Sequence, residues 1–129
     1  MDQTEAGAVV RNYCDAWLAG DVGALFDAYH DDVVLEWAGT HHLAGTHRGK
    51  DAALTALITL QAATDRKVVR VNDVTVGERS VVALVTEQWT RDGVTLELDR
   101  ALEYTVADGL ILTCRIYESD QAAVDEWLS

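Results

Sequence analysis

Apolar residues at Ala6, Val9, Val10, Tyr13, Cys14 and Trp17 recur at three- and four-residue steps, which predicts an amphipathic first helix. Gly20 ends it, and Asp21 is placed to cap a second short helix carrying Leu25, Phe26 and Tyr29. Val33-Val34-Leu35-Glu36-Trp37 reads as a strand, followed by a loop containing Gly39, Gly45, Gly49 and His41, His42 and His47. The stripe Ala53, Leu54, Leu57, Ile58 and Gln61 predicts a third helix over roughly Lys50–Ala63. The second half reads as a meander, with strands at about 67–76, 81–91, 94–106 and 110–118. Gly77-Glu78, Asp92-Gly93 and Asp108-Gly109 separate them, and Asp-Gly between β-rich runs is a strong hairpin signal. Asp120 is the expected N-cap of a closing helix with Val124, Trp127 and Leu128 inward. Helices first and a long antiparallel sheet last make an α+β fold, with the helices on one face of a curved sheet.

Two-residue turns fix the register by counting. Trp89 then opposes Leu96, and Thr86 opposes Asp99; across the second turn Ala101 opposes Ile116, and Asp99 opposes Glu118. One face carries Val85, Trp89, Leu96, Leu98, Leu102 and Tyr104, with Glu87, Arg100 and Arg115 among them. The other carries Leu84, Ala101, Cys114 and Ile116 at one end, and Thr86, Asp99 and Glu118 at the other. Both faces are too apolar for open water, so one should meet the helices and the other a second subunit. Periodicity leaves open which is which.

Composition narrows the function classes. The 129 residues contain no proline, no repeat and no low-complexity tract, so a single domain spanning 1–129 is expected. A net charge of −12 argues against nucleic acid and against an anionic membrane surface as partners. No stretch has the apolar length of a membrane span, and Met1-Asp2-Gln3-Thr4-Glu5 lacks the features of a signal peptide, so a cytoplasmic location is expected. Cys14 and Cys114 have neither metal nor redox spacing and read as small buried hydrophobes.

The order helix, Ala19-Gly20-Asp21, helix, Asp31-Asp32-Val33-Val34, Leu43-Ala44-Gly45-Thr46-His47-Arg48-Gly49-Lys50-Asp51-Ala52, meander, Asp108-Gly109-Leu110-Ile111, Asp120-Gln121-Ala122-Ala123 resembles the SnoaL-like branch of the nuclear transport factor 2-like superfamily. The resemblance implies a cone-shaped fold: a curved antiparallel sheet wrapped around three N-terminal helices, with a pocket between and a short C-terminal helix. It is specific for fold and weak for reaction, because that fold hosts isomerases, polyketide cyclases, dehydratases, epoxide hydrolases and non-enzymes. Ketosteroid isomerase, the best-understood relative, implies an oxyanion donor at Tyr13 and a protonated aspartate near Asp99. Its catalytic base falls on Trp37, a departure from the pattern. The two aspartates and the arginine of limonene epoxide hydrolase fall near Thr90, Ile116 and Gln88, another departure. The resemblance further implies that Thr86, Asp99, Cys114, Ile116 and Glu118 face the interior, leaving the Trp89 and Tyr104 face for a dimer partner.

Opposed carboxylates at Asp99 and Glu118 would have Cβ atoms about 4.5–5.5 Å apart, so that one carboxyl holds a proton beside an ionised neighbour. The alternative places both at a solvated rim. Tyr13 reads as oxyanion donor or as plain core, and His47 is the histidine best suited to proton transfer. Trp17, Tyr29, Trp37 and Leu57, with Thr86 and Ile116 from the sheet, are the expected substrate-binding wall. Three loop histidines beside Glu36 match no tight metal pattern, so neither metal nor cofactor is expected. Glu87, Arg100 and Arg115 suggest an ion-pair network across a dimer interface. Together these readings describe a pocket enzyme doing cofactor-free acid–base chemistry on a hydrophobic carbonyl- or epoxide-bearing metabolite. A non-catalytic ligand-binding or dimerisation module is the alternative.

Overall fold

In the computed structural model, which describes residues 2–129, helix α1 (Gln3–Ala19) begins where the Asp2 carboxylate accepts the Glu5 amide, and ends at Gly20, whose φ of 68° closes the last turn. Helix α2 (Val22–Asp27) is capped the same way by Asp21, which accepts from the Ala24 amide. Strand β1 (Tyr29–Trp37) follows without a break and starts four residues before the apolar run that announces it. Its early start is fixed by Tyr29, which is buried and pairs with Ile111. The glycine-rich loop contains a strand that periodicity does not show, β2 (Gly45–Arg48), a polar edge strand antiparallel to β1. Then come α3 (Lys50–Thr64), β3 (Lys67–Val76), β4 (Val81–Arg91), β5 (Val94–Ala107), β6 (Leu110–Glu118) and α4 (Gln121–Trp127).

The six strands form one sheet in the order β2-β1-β6-β5-β4-β3, antiparallel except where β1 runs alongside β6. Both Asp-Gly turns are two-residue hairpins with positive φ throughout: 52° and 77° at Asp92-Gly93, 55° and 75° at Asp108-Gly109. The β4–β5 register is the one counting gives, Trp89 opposite Leu96 and Thr86 opposite Asp99. Between β5 and β6 it is not. Val106 pairs with Ile111 but Thr105 pairs with Thr113, so Leu112 bulges out and every later residue slips by one. Arg100, not Asp99, therefore opposes Glu118.

The faces are also the reverse of the expected assignment. Val85, Glu87, Trp89, Leu98, Arg100, Leu102 and Tyr104 point into the core against the helices and are buried. The interior tolerates Glu87 and Arg100 because they pair with each other and with further opposite charges. Cys114, Ile116 and Glu118 do point inward, brought there by the bulge. Thr86 and Asp99 lie on the outer face, where the Thr86 hydroxyl donates to Asp99 over 2.7 Å and accepts from Asn72 over 2.9 Å. The dimer surface expected from Trp89, Leu96, Leu98, Leu102 and Tyr104 is thus the packed core, and the Glu87–Arg100 pair lies inside one protomer.

Candidate functional site: a cavity between the helices

Helices α1, α2 and α3 and the starts of β1 and β3 line a cavity of about 740 Å³, open to solvent at Leu18, Val22 and Ile58. Its wall is apolar: Trp17 from α1, Leu25 and Phe26 from α2, Leu54, Leu57 and Ile58 from α3, and Val68 from β3. The polar lining is small, consisting of Tyr13, Tyr29, Gln61, Arg66 and Lys67. A large apolar space with a few convergent polar groups is the usual form of a small-molecule site.

Tyr13 and Tyr29 meet there, hydroxyl to hydroxyl, with ring centroids 5.4 Å apart and planes at 72°. Burial raises the Tyr13 hydroxyl above its ordinary pKa; the bond to Tyr29 and the charge of Arg66 offset only part of that rise. Tyr29 is likewise held well above the usual phenol value, first by burial and then by Tyr13. Both stay protonated and act as hydrogen-bond donors, not as bases. Arg66 directly follows Asp65, the residue that caps α3, and its guanidinium carbon lies 4.0 Å from the centroid of the Trp17 ring.

Behind Arg66 runs a buried row of charges. Glu87 receives Nε and Nη2 of Arg66, the latter at 2.7 Å, Nη1 of Arg100 at 3.2 Å and the Trp89 indole at 3.1 Å. Arg100 turns its other edge to Glu118, with Nε at 2.7 Å and Nη2 at 2.9 Å, and Glu118 also accepts the Trp37 indole at 3.1 Å. Burial by itself would raise the Glu87 pKa; Arg100 and then Arg66 overcome that and bring it to about 2. Apart from Nη1 of Arg66, the opposed electrostatic demands are met within the row.

Of the residues expected at the site, Tyr13, Trp17, Tyr29 and Leu57 line the cavity. Trp37, Ile116 and Glu118 are buried but do not line it: Trp37 and Glu118 sit at the far end of the charge row, with Trp37 stacked edge-on against His41. Asp99 and Thr86 are on the opposite side of the sheet, so the carboxylate pair does not form. His47 is in β2, where its Nε2 donates to the Leu43 carbonyl at 2.7 Å, away from the cavity. His42 is engaged with the Leu128 carbonyl, and His41 is buried, accepting the Leu43 amide at Nδ1 while Nε2 finds no partner. Among the described residues no three histidine, cysteine or acidic groups are grouped to hold a metal ion. Burial pushes the Cys14 thiol up to about 11 and Cys114 up to about 12, which keeps both as thiols.

Sequence reasoning missed Arg66. The sign available was its position immediately before β3, at the point where α3 must hand the chain to the sheet beneath the other helices.

The SnoaL-like domain family matches residues 10–113. The chain belongs to the SnoaL-like family. An uncharacterized protein of Mycobacterium tuberculosis is 31% identical over 121 residues, covering 92% of each chain. Among solved structures, a protein of unknown function with a cystatin-like fold from Xanthomonas campestris superposes with a TM-score of 0.88 at 23% identity, over 100% of this chain and 99% of that one. TerC, co-crystallized with polyporic acid, superposes with a TM-score of 0.79 at 18% identity over 94% and 95%. The fold of this SnoaL-like chain is accordingly the cone of the nuclear transport factor 2-like superfamily, a small-molecule pocket fold. None of its helices, among the described residues, is long and apolar enough to cross a membrane.

Proposed function

We propose that the cavity between the helices takes up a hydrophobic small molecule bearing an oxygen at its head, and that Tyr13, backed by Tyr29, donates to that oxygen. The supporting observation is the lining itself: mostly apolar, with the paired hydroxyls of Tyr13 and Tyr29 and a few further polar groups, Gln61, Arg66 and Lys67. The lining contains no carboxylate, imidazole or thiol, so the base that isomerisation or dehydration demands would have to come from the ligand or from water. Binding is therefore the reading favoured here over acid–base turnover. Co-crystallization of TerC with polyporic acid supports a cyclic, oxygen-bearing ligand as a starting point.

Turnover remains a second reading, carried by the same hydroxyl pair. Two neutral phenols held in a buried site can stabilise an oxyanion as it forms, the step shared by isomerisation, cyclisation and dehydration. Tyr13→Phe separates the two. If the site only binds, affinity falls about 2–10-fold, the loss of one neutral hydrogen bond. If it catalyses, turnover falls about 10²–10³-fold while binding changes little. Asp99→Asn, altered on the outer face, should change neither quantity. An unchanged Tyr13→Phe protein in both assays overturns the assignment of the cavity.

The outer face of the sheet is proposed to receive a second copy of the chain. Leu84 and Tyr117 stand 42% and 47% exposed there, beside the Arg115–Glu36 ion pair. Sedimentation should give a dimer that Leu84→Glu dissociates, with the cavity still formed.

A further inference from the structure

Arg66 is a buried lining group whose hydrogen-bonding capacity is partly unspent. Glu87 binds its Nε and Nη2, and no hydrogen bond among the described residues engages Nη1. The side chain is only 4% exposed and lies over Trp17, so it cannot swing out to another partner without losing both contacts. A buried guanidinium that retains a free N–H edge on a cavity wall is a receptor for an acceptor atom.

The charge row decides which kind of acceptor. From the cavity inward the signs run Arg66, Glu87, Arg100, Glu118: plus, minus, plus, minus. The four cancel in sum but not in position. The end at the cavity wall is a cation, and the terminal anion is deep inside, already satisfied by Arg100 and Trp37. The charge on the cavity wall is therefore positive. Among the described residues the other charged lining group, Lys67, is also a cation. This occurs in a chain whose net charge is −12, so the sign of the cavity is opposite to that of the molecule.

Building on the ligand-cavity reading, we infer that the ligand is a hydrophobic carboxylic acid, bound as its carboxylate to Nη1 of Arg66 with its apolar body against Phe26, Leu54 and Leu57. The carboxylate extends the alternation by one more charge, and Tyr13 and Tyr29, on the same lining, supply a hydroxyl for its second oxygen. A neutral alcohol or ketone could accept from the same N–H but would forgo the charge–charge attraction and the second oxygen.

Isothermal titration at neutral pH with matched probes tests this: dodecanoate against dodecanol, and biphenyl-4-carboxylate against biphenyl-4-methanol. The expected result is a carboxylate affinity roughly 10–100-fold above that of the alcohol in at least one pair, as for a hydrogen bond to a charged group. Arg66→Gln should bring that ratio close to one while the alcohol still binds. Because Arg66→Gln leaves Glu87 short of a partner, Arg66→Gln/Glu87→Gln removes both charges together and should give the same ratio in a folded protein. Equal affinity for acid and alcohol in the unaltered protein overturns the carboxylate inference but leaves the cavity as a ligand site. A ratio kept in Arg66→Gln and lost in Lys67→Met overturns it too. No binding of any probe overturns the ligand-cavity reading itself.

Discussion

Glu87 is the residue on which the interior depends most, because two buried guanidiniums share it. It accepts from Arg66 and from Arg100 and is itself completely buried; Arg100 has Glu118 as a second partner, but Arg66 is ion-paired to Glu87 alone among the described residues. Glu87→Gln should destabilise the fold by about 3–5 kcal/mol in urea unfolding, the cost of leaving a buried charge uncompensated. A change below ~1 kcal/mol would show that the row is looser than its geometry. At this scale the sequence was only partly legible. Tyr13, Trp17 and Leu57 could be placed on the cavity wall from helical spacing and resemblance, because a stripe on a helix has one buried side, whereas Tyr29, read as helical, reaches the wall from the start of β1. Glu87 and Arg100 were visible as charges among apolar strand residues, yet an ion pair inside a core and one at an interface leave the same alternating pattern.

The β5–β6 hairpin shows where element-level reasoning fails. The Asp108-Gly109 turn is where the sequence indicates it, with the positive φ that Asp-Gly tolerates. A bulge at Leu112 then reverses the face of every residue beyond it on β6 relative to β5. No residue type marks that bulge, since Leu112-Thr113 reads like any other part of a strand. The β4–β5 hairpin, lacking one, follows the count to its end. Deleting Leu112 removes the extra residue while leaving Thr105 opposite Thr113 and Arg100 opposite Glu118. The expected outcome is a protein that still unfolds cooperatively by circular dichroism, with the buried charge row intact. Loss of the cooperative transition would mean that the bulge itself, and not only the register beyond it, is needed by the fold. The edge strand β2 escaped notice for a different reason: a glycine followed by three polar residues has no apolar alternation to display.

The whole molecule should be acid-sensitive in two stages. The His41 pKa is lowered, by burial foremost and against the pull of Asp125 and Glu118. Its folded value therefore lies below its unfolded one, and the stability it contributes is present above about 6.5 and lost as pH falls below that. Glu87 is depressed from 4.5 to about 2, so its contribution holds above 4.5 and drains away toward 2. Urea midpoints measured from neutrality to pH 3 should fall steadily, with the steeper part below 4.5; a flat profile would contradict both assignments. The stacking of Arg66 on Trp17 has a spectroscopic side as well. All four tryptophans lie over an arginine: Trp17 over Arg66, Trp37 and Trp89 by Arg100, and Trp127 by Arg91. Each indole emits beside a fixed positive charge, yet only Trp17 borders the cavity. An anion arriving at Arg66 would change the field across that one ring and leave the other three as an internal reference, so the protein carries its own optical gauge of occupancy.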